Sequence, residues 1–238
     1  MDTNPFDSLD DADPLETFDG ETRLFPLPNV VLFPGVMLPL HIFEPRYRQM
    51  VADAIESDRL ITMVLLKPGY EDDYERSPPI HEIGCLGQII HHEFQDDGRS
   101  NLILRGLTRV RIDSEEYNDR LYRTARVSIL EDEYPPDGPD AVAEPVRRVL
   151  DSMVEILTLV GRSGDAKKIA TASEVPAGRI CDLACHCLGF DITVKQTLLT
   201  EQRVASRAET LQAWMEALLK TIQRRVDPSG HPPEFSQN

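Results

Sequence analysis

The sequence contains no GxxxxGK[ST] string, no HExxH and no GxSxG. The first absence removes the phosphate-cradling loop of an ATPase, the others the zinc-peptidase helix and the nucleophile elbow of a hydrolase. The nearest approach to a phosphate loop, GRSGDAKK at 161–168, lacks the closing Gly-Lys-Ser/Thr. No predicted helix carries a Ser/Lys pair in a setting for nucleophilic catalysis. Cysteine is scarce: four in 238 residues, three of them (Cys181, Cys185, Cys187) crowded together. That spacing does not resemble a secreted disulfide framework. Lys and Arg are absent from the first 21 residues and no apolar h-region follows, so no signal peptide is expected. No apolar run approaches the roughly 18 residues of a membrane span. These absences point to a non-enzymatic protein of the cytoplasm, with no cofactor.

What is present is ordinary globular composition, 41% apolar and 28% charged, in a chain long enough for one large domain or two small ones. A chain of this size buries roughly 70% of its unfolded surface and needs no covalent or metal staple. The net charge of −16 is unevenly spread. Asp2, Asp7, Asp10, Asp11, Asp13, Glu16, Asp19 and Glu21 fall in residues 1–21, where Phe6, Leu9, Leu15 and Phe18 are too few to offset the entropy of ordering. Residues 1–21 therefore read as a disordered acidic tail, either a solubilising arm or a segment that binds a partner or mimics nucleic acid.

The run RLFPLPNVVLFPGVMLPLHIF at 23–43 is apolar but broken by Pro26, Pro28, Pro34 and Pro39, so no regular central strand or helix crosses it. Short strands near 23–27 and 36–42, joined by a rigid loop around Pro34-Gly35, satisfy the pattern. Pro45 opens a helix whose stripe is Tyr47, Met50, Val51, Ala54 and Ile55. RLITMVLL at 59–66 reads as a strand buried on both faces, and the Pro-rich acidic stretch 67–82 as a mobile loop. IGCLGQIIHHEF and NLILRGLTRVRI flank a reversal at Asp97-Gly98, and Ala125, Val127 and Ile129 alternate with polar neighbours as in a half-buried strand. EDEYPPDGPD at 131–140 is a linker, after which the pattern is helical. One stripe runs Val142, Val146, Val149, Leu150, Met153, Leu157, Val160 before a stop at Gly161 and Gly164. Pro176 opens a helix with Ile180, Leu183, Ala184, Cys187 and Leu188 on one side; a short helix spans about 192–202 with Asp191 as cap. A last helix carries Val204, Ala208, Leu211, Met215, Leu218 and Ile222 in a heptad-like seam behind a Ser206/Glu209 capping box. The chain thus divides into a β domain at 22–132, a helical bundle at 138–226 and a flexible tail at 227–238.

Three clusters invite chemistry. CDLACHC at 181–187 offers thiolates and an imidazole. Cys181 and Cys185, four apart on a helix, are the weak metal candidates, but successive residues diverge by about 100° and buried packing is the favoured reading. His91 and His92 point to opposite faces of a strand. Arg105, Arg109, Arg111, Arg120, Arg123 and Arg126 form a basic stretch that could meet RNA phosphates or simply pair across a solvated sheet. No aromatic platform accompanies it beyond Tyr117 and Tyr122.

The string PLPNVVLFPGVMLPLHIFEPRYRQMV at 26–51 resembles the opening of the Lon protease substrate-binding domain. IGCLGQIIHHEFQDDGRSNLILRGLTRVRI at 83–112 resembles that family's next block, ending on Gly106, Arg109 and Ile112, and residues 175–215 resemble its helical subdomain. The resemblance implies an α+β fold: a PUA-like twisted β-barrel followed by an α-helical bundle. It also implies recognition of unfolded or extended protein segments, beside a separate protease, as an adaptor or regulator of proteolysis. The chain stops where ATPase and Ser-Lys protease domains would begin, so those activities are not expected of it. Val31, Phe33, Pro34, Met37 and Leu38 are the candidate peptide-binding residues, with barrel core as the competing reading. The rival functions are an RNA-binding PUA-like protein, disfavoured by the charge, and a metal-binding protein using the cysteine cluster.

Overall fold

The computed structural model of the protein describes residues 13–71, 77–116, 118–170 and 175–225. The acidic tail is therefore outside the described residues up to position 12, as are 72–76 of the expected loop and all of the C-terminal tail at 227–238. The chain forms two compact units. One comprises the strands up to Glu131 together with Asp191–Thr200; the other comprises Asp132–Phe190 and the chain from Glu201 on.

The first unit is built on six strands: β1 (Glu21–Leu27), β2 (Met37–Ile42), β3 (Leu60–Leu65), β4 (Ile83–Phe94), β5 (Ser100–Glu116) and β6 (Thr124–Leu130). They run in the order β2-β5-β4-β3-β1-β6, and a further β5–β6 pairing closes five of them into a ring with β2 added to the outside of β5. β1 and β3 are parallel; the other pairs are antiparallel. Irregularities at Leu86/Gly87, Ile89/His91 and Ile112/Ser114 supply the bends that ring closure requires. β3 is buried at all six positions, as a continuous LITMVL run demands. Leu24, Leu60, Leu86, Val110, Ala125 and Val127 meet inside.

Pro26 sits within β1, the short strand expected near 23–27. β6 pairs only with Glu21–Arg23, so Pro26 faces β3 on one side and owes no donor to β6. Residues 13–20, expected in the disordered tail, are ordered instead. Leu15 and Phe18 pack on the core cluster, and the Asp13 carboxylate accepts the Leu15 amide. Two apolar side chains three residues apart suffice once a ready apolar surface meets them.

α1 (Pro45–Ile55) buries Tyr47, Met50, Val51 and Ala54, with Tyr47 donating its hydroxyl to the Pro26 carbonyl at 3.1 Å. Between β1 and β2 the loop at 28–36 lies across β5. Gly35 donates to the Gly106 carbonyl, Gly106 donates to the Val36 carbonyl, and a Cβ on Gly106 would overlap the Phe33 carbonyl. α5 (Ile192–Thr200), expected in the helical bundle, belongs to the strand unit. Buried Arg109 on β5 donates from Nε to the Leu199 carbonyl at 2.8 Å, a cation at a helix C-terminus. Gln196 donates to the Ile83 carbonyl at 3.0 Å. Asp191 caps α5 as expected, accepting from Thr193 N.

The second unit contains α2 (Ala143–Leu159), α3 (Ser163–Ala170), α4 (Ala177–Cys187) and α6 (Val204–Arg225). α3 was not expected: Gly161, with φ +81°, ends α2, but Gly164 is accommodated inside α3, where Ala166 and Ile169 are buried. The buried side of α4 is Gly178, Cys181, Asp182, Ala184 and Cys185, turned from the stripe read off the sequence; Ile180, Leu183 and Cys187 are half-buried. α6 begins at Val204, so Ser206 is already inside the helix and the capping box is not used.

The turn of α4 goes with Arg207, a fully buried guanidinium of this unit. It lies 2.9 Å from the Asp132 carboxylate and 3.7 Å from that of buried Asp182, and it donates to the Glu201 carbonyl at 3.0 Å and the Gly178 carbonyl at 3.3 Å. A buried cation recruits carboxylates and carbonyls, and this one turns α4 so that Asp182 faces inward.

Candidate binding face on the outside of β2, β5 and β4

β2 alternates. Leu38, Leu40 and Ile42 lie on one side, opposite Leu104, Leu102 and Ser100 of β5. Met37, Pro39 and His41 lie on the other, opposite Arg105, Ile103 and Asn101, and Phe43 continues that side beyond the strand. Met37 is 55% exposed and Phe43 59%, high values for large apolar side chains. A bulge at Ile90 brings His91, rather than its neighbour, to the outer face of β4 opposite Ile103. The outer face therefore has three rows: Met37–Arg105–Gln88, Pro39–Ile103–His91 and His41–Asn101–Glu93. Side-chain bonds across the first and last rows fix the grid: Arg105 donates to Gln88 Oε1 at 2.7 Å, and His41 Nδ1 is 2.8 Å from Asn101 Oδ1. A shallow depression of about 320 Å³ lies over the middle, lined by Pro39, Leu40, His41, His91, Asn101, Leu102 and Ile103.

The five sequence candidates do not form one patch. Val31, Phe33 and Pro34 are buried under the loop, where a peptide cannot touch them without unfolding it. Leu38 is half-buried on the inner side of β2, and only Met37 stands fully on the outer face. The outer face also carries Pro39, His41, Phe43, Ile103, His91 and Arg105, which are not among the five. The alternation M-L-P-L-H-I-F was the signal available, since every second residue from Met37 to Phe43 is outside.

Cys181 and Cys185 are both buried in the α4 packing face. Burial pushes the Cys181 thiol up to about 11, so it is protonated at neutral pH. Among the described residues no group of three His, Cys, Asp or Glu side chains is arranged to hold a metal ion. Half of the basic stretch pairs with carboxylates, Arg111 with Asp113 at 3.1 Å, Arg123 with Glu115 at 2.6 Å and Arg126 with Glu116 at 3.3 Å; Arg109 is buried, Arg105 donates to Gln88 and Arg120 to the Tyr122 hydroxyl. His91 and His92 point to opposite faces, and burial followed by repulsion from Arg59 and His91 holds His92 below the usual histidine range. No helix among the described residues is long and apolar enough to cross a membrane.

The chain belongs to the family described as the ATP-dependent protease La (LON) substrate-binding domain, which matches residues 21–217. It is 24% identical over 236 residues to the Lon protease of Cytophaga hutchinsonii, covering 94% of this chain and 28% of that protein. It is 26% identical over 190 residues to the Lon protease of Xanthomonas oryzae pv. oryzae, covering 79% of this chain and 22% of that protein. The chain thus spans about a quarter of the length of these relatives. Among solved structures, a Lon N-terminal domain protein from Xanthomonas campestris superposes with a TM-score of 0.57 at 24% identity, covering 82% of this chain and 98% of that one. The N-terminal domain of the Mycobacterium avium complex Lon protease superposes with a TM-score of 0.66 at 13% identity, with the same coverage. These likenesses bear out the α+β fold, with a mixed sheet and helices.

Proposed function

We propose that this chain is a non-enzymatic recognition module for unfolded or extended protein segments, serving in the cytoplasm as an adaptor or regulator of proteolysis carried out by a separate protease. The observation that carries the reading is the stripe Met37–Pro39–His41–Phe43, exposed on a strand of a LON substrate-binding domain. Exposed apolar side chains in a row are costly to a soluble surface unless a partner covers them.

β2 offers two modes of capture, strand addition at its free edge and contact across its outer face. Pro39 decides between them. Leu38, Leu40 and Ile42 turn their backbone groups to β5 by the antiparallel alternation that starts with the Gly106-to-Val36 bond, which leaves Met37, Pro39 and His41 turned toward the open edge. There the proline ring takes the place of a donor and crowds an incoming strand, the usual guard against edge pairing. The face is the better surface. Val31, Phe33 and Pro34 serve it from beneath by fixing the loop that leads into β2.

The test is binding of the full chain to a permanently unfolded, reduced and alkylated protein. Replacing Met37→Asp together with Phe43→Ser is expected to weaken binding about tenfold or more, since each buried apolar side chain contributes roughly 1.5–3 kcal/mol. The melting curve should be unchanged, because neither side chain is in the core. Equal affinity of a folded double variant and the parent would overturn the reading.

A further inference from the structure

The outer face is electrically lopsided as well as apolar. In its first row Arg105 carries a full positive charge whose only described partner is the neutral amide of Gln88, and no carboxylate among the described residues pairs with it. Its Nε is buried and has no hydrogen-bond partner. This is unusual company for a guanidinium in a chain with 41 Asp and Glu against 25 Lys and Arg; Arg111 farther along β5, and Arg123 and Arg126 at and in β6, each hold a carboxylate. At the far end of the grid, Glu93 is exposed. Between them lies the apolar row Pro39–Ile103, whose depression is lined by no charged group other than the titratable His41 and His91.

We infer that the face selects extended segments in which an apolar side chain and an acidic one stand two positions apart. The apolar side chain sits over Ile103 and Pro39, and the carboxylate pairs with Arg105. The spacing follows from the strand: rows on one face are two residues, about 6.8 Å, apart, which is also the repeat of an extended peptide laid along β5. Gln88 holds the guanidinium in place, and a preset fork loses less freedom on meeting a planar carboxylate than a lysine would. Glu93 reinforces this placement, because an acidic residue over the Asn101 row would face it and be repelled. The occupant is an internal segment of another protein chain, with the carboxylate from an Asp or Glu side chain. The inference rests on the proposed recognition function and assigns its sequence preference.

The experiment uses the full chain and short peptides capped at both ends, so that no terminal charge intervenes. One carries Leu-Ser-Asp in a neutral background and its counterpart Leu-Ser-Asn, with affinity read by fluorescence anisotropy. The Asp peptide is expected to bind about tenfold more tightly. Arg105→Gln should abolish that difference, so that the two peptides bind this variant equally, and Arg105→Lys should restore part of it. Equal binding of both peptides by the parent chain overturns the inference, as does a preference that survives in Arg105→Gln. It is also overturned if only a free C-terminal carboxylate on the Asn peptide confers the gain. If neither peptides nor unfolded protein bind, the recognition function itself fails; if unfolded protein binds without regard to acidic spacing, only the Arg105 assignment does.

Discussion

Arg207 shows what one residue can organise. Its guanidinium is removed from water entirely and draws Asp132, Asp182 and two backbone carbonyls around itself. Replacing it with methionine keeps much of the volume but leaves Asp182, itself buried, without its cation. Breaking a buried pair from one side typically costs about 3–5 kcal/mol. Arg207→Met should therefore shift the denaturant midpoint strongly, and Asp182→Asn in the same chain should recover part of the loss. A second residue-scale effect concerns pH. His81 and His92 are both held below the ordinary value of 6.5, chiefly by burial, with Lys67 repelling the first and Arg59 and His91 the second. The unfolded chain then takes up these protons first. Stability from this source is whole above about 6.5 and falls as pH drops through the lowered values. His92→Gln should flatten the decline in melting temperature between pH 6.5 and 5, a range above that in which carboxylates titrate.

At the scale of elements, the loop at 28–36 and the G-L-T-R-V-R-I segment of β5 work as one device. Gly106 lets the loop lie against the strand, and Arg109 three residues on receives α5. Gly106→Ala should cost about 1–3 kcal/mol because the new methyl meets backbone rather than a side chain that can move, a loss readable in urea denaturation. Arg109→Met should speed amide exchange in α5 while β3, buried at every position, keeps its protection.

Elements with strong periodicity were legible in the sequence. The all-apolar run at 59–66, the Pro45 helix start and the α6 seam each rest on local pattern, and each stands close to where it was expected. Placement that depends on distant partners was not legible. Nothing near residues 191–200 announces that they join the strands, since the deciding groups are Arg109 and Ile83, far away in sequence. Nor does the α4 stripe reveal its rotation, because a charged pair at Asp182 and Arg207 competes with apolar periodicity. The burial of Val31, Phe33 and Pro34 was not legible for a related reason. An apolar loop broken by prolines looks unable to hide its side chains, but the missing Cβ at Gly106 opens the space in which it does so.

Across the whole molecule, charge governs which partners are admitted. At −16 the chain repels polyanions, and Arg111, Arg123 and Arg126 are already matched to carboxylates. Filter retention of single-stranded RNA is expected to stay at background even at low salt, where phosphate contacts are strongest; retention that falls steeply with added salt would contradict this.

The interleaving of α5 with the strands has a consequence for how the protein is made. The last strand ends at Leu130, but the helix that engages Arg109 and Ile83 is not complete until Thr200. At roughly 5–20 residues per second, translation takes about 3–14 s to cover that interval. Through it the Leu199 carbonyl that accepts from Arg109 is still to come, while the segment that will form α2, α3 and α4 is being made. Maturation on the ribosome should therefore proceed in an order that differs from the order of the chain, with the first unit finished only after most of the second has been synthesised.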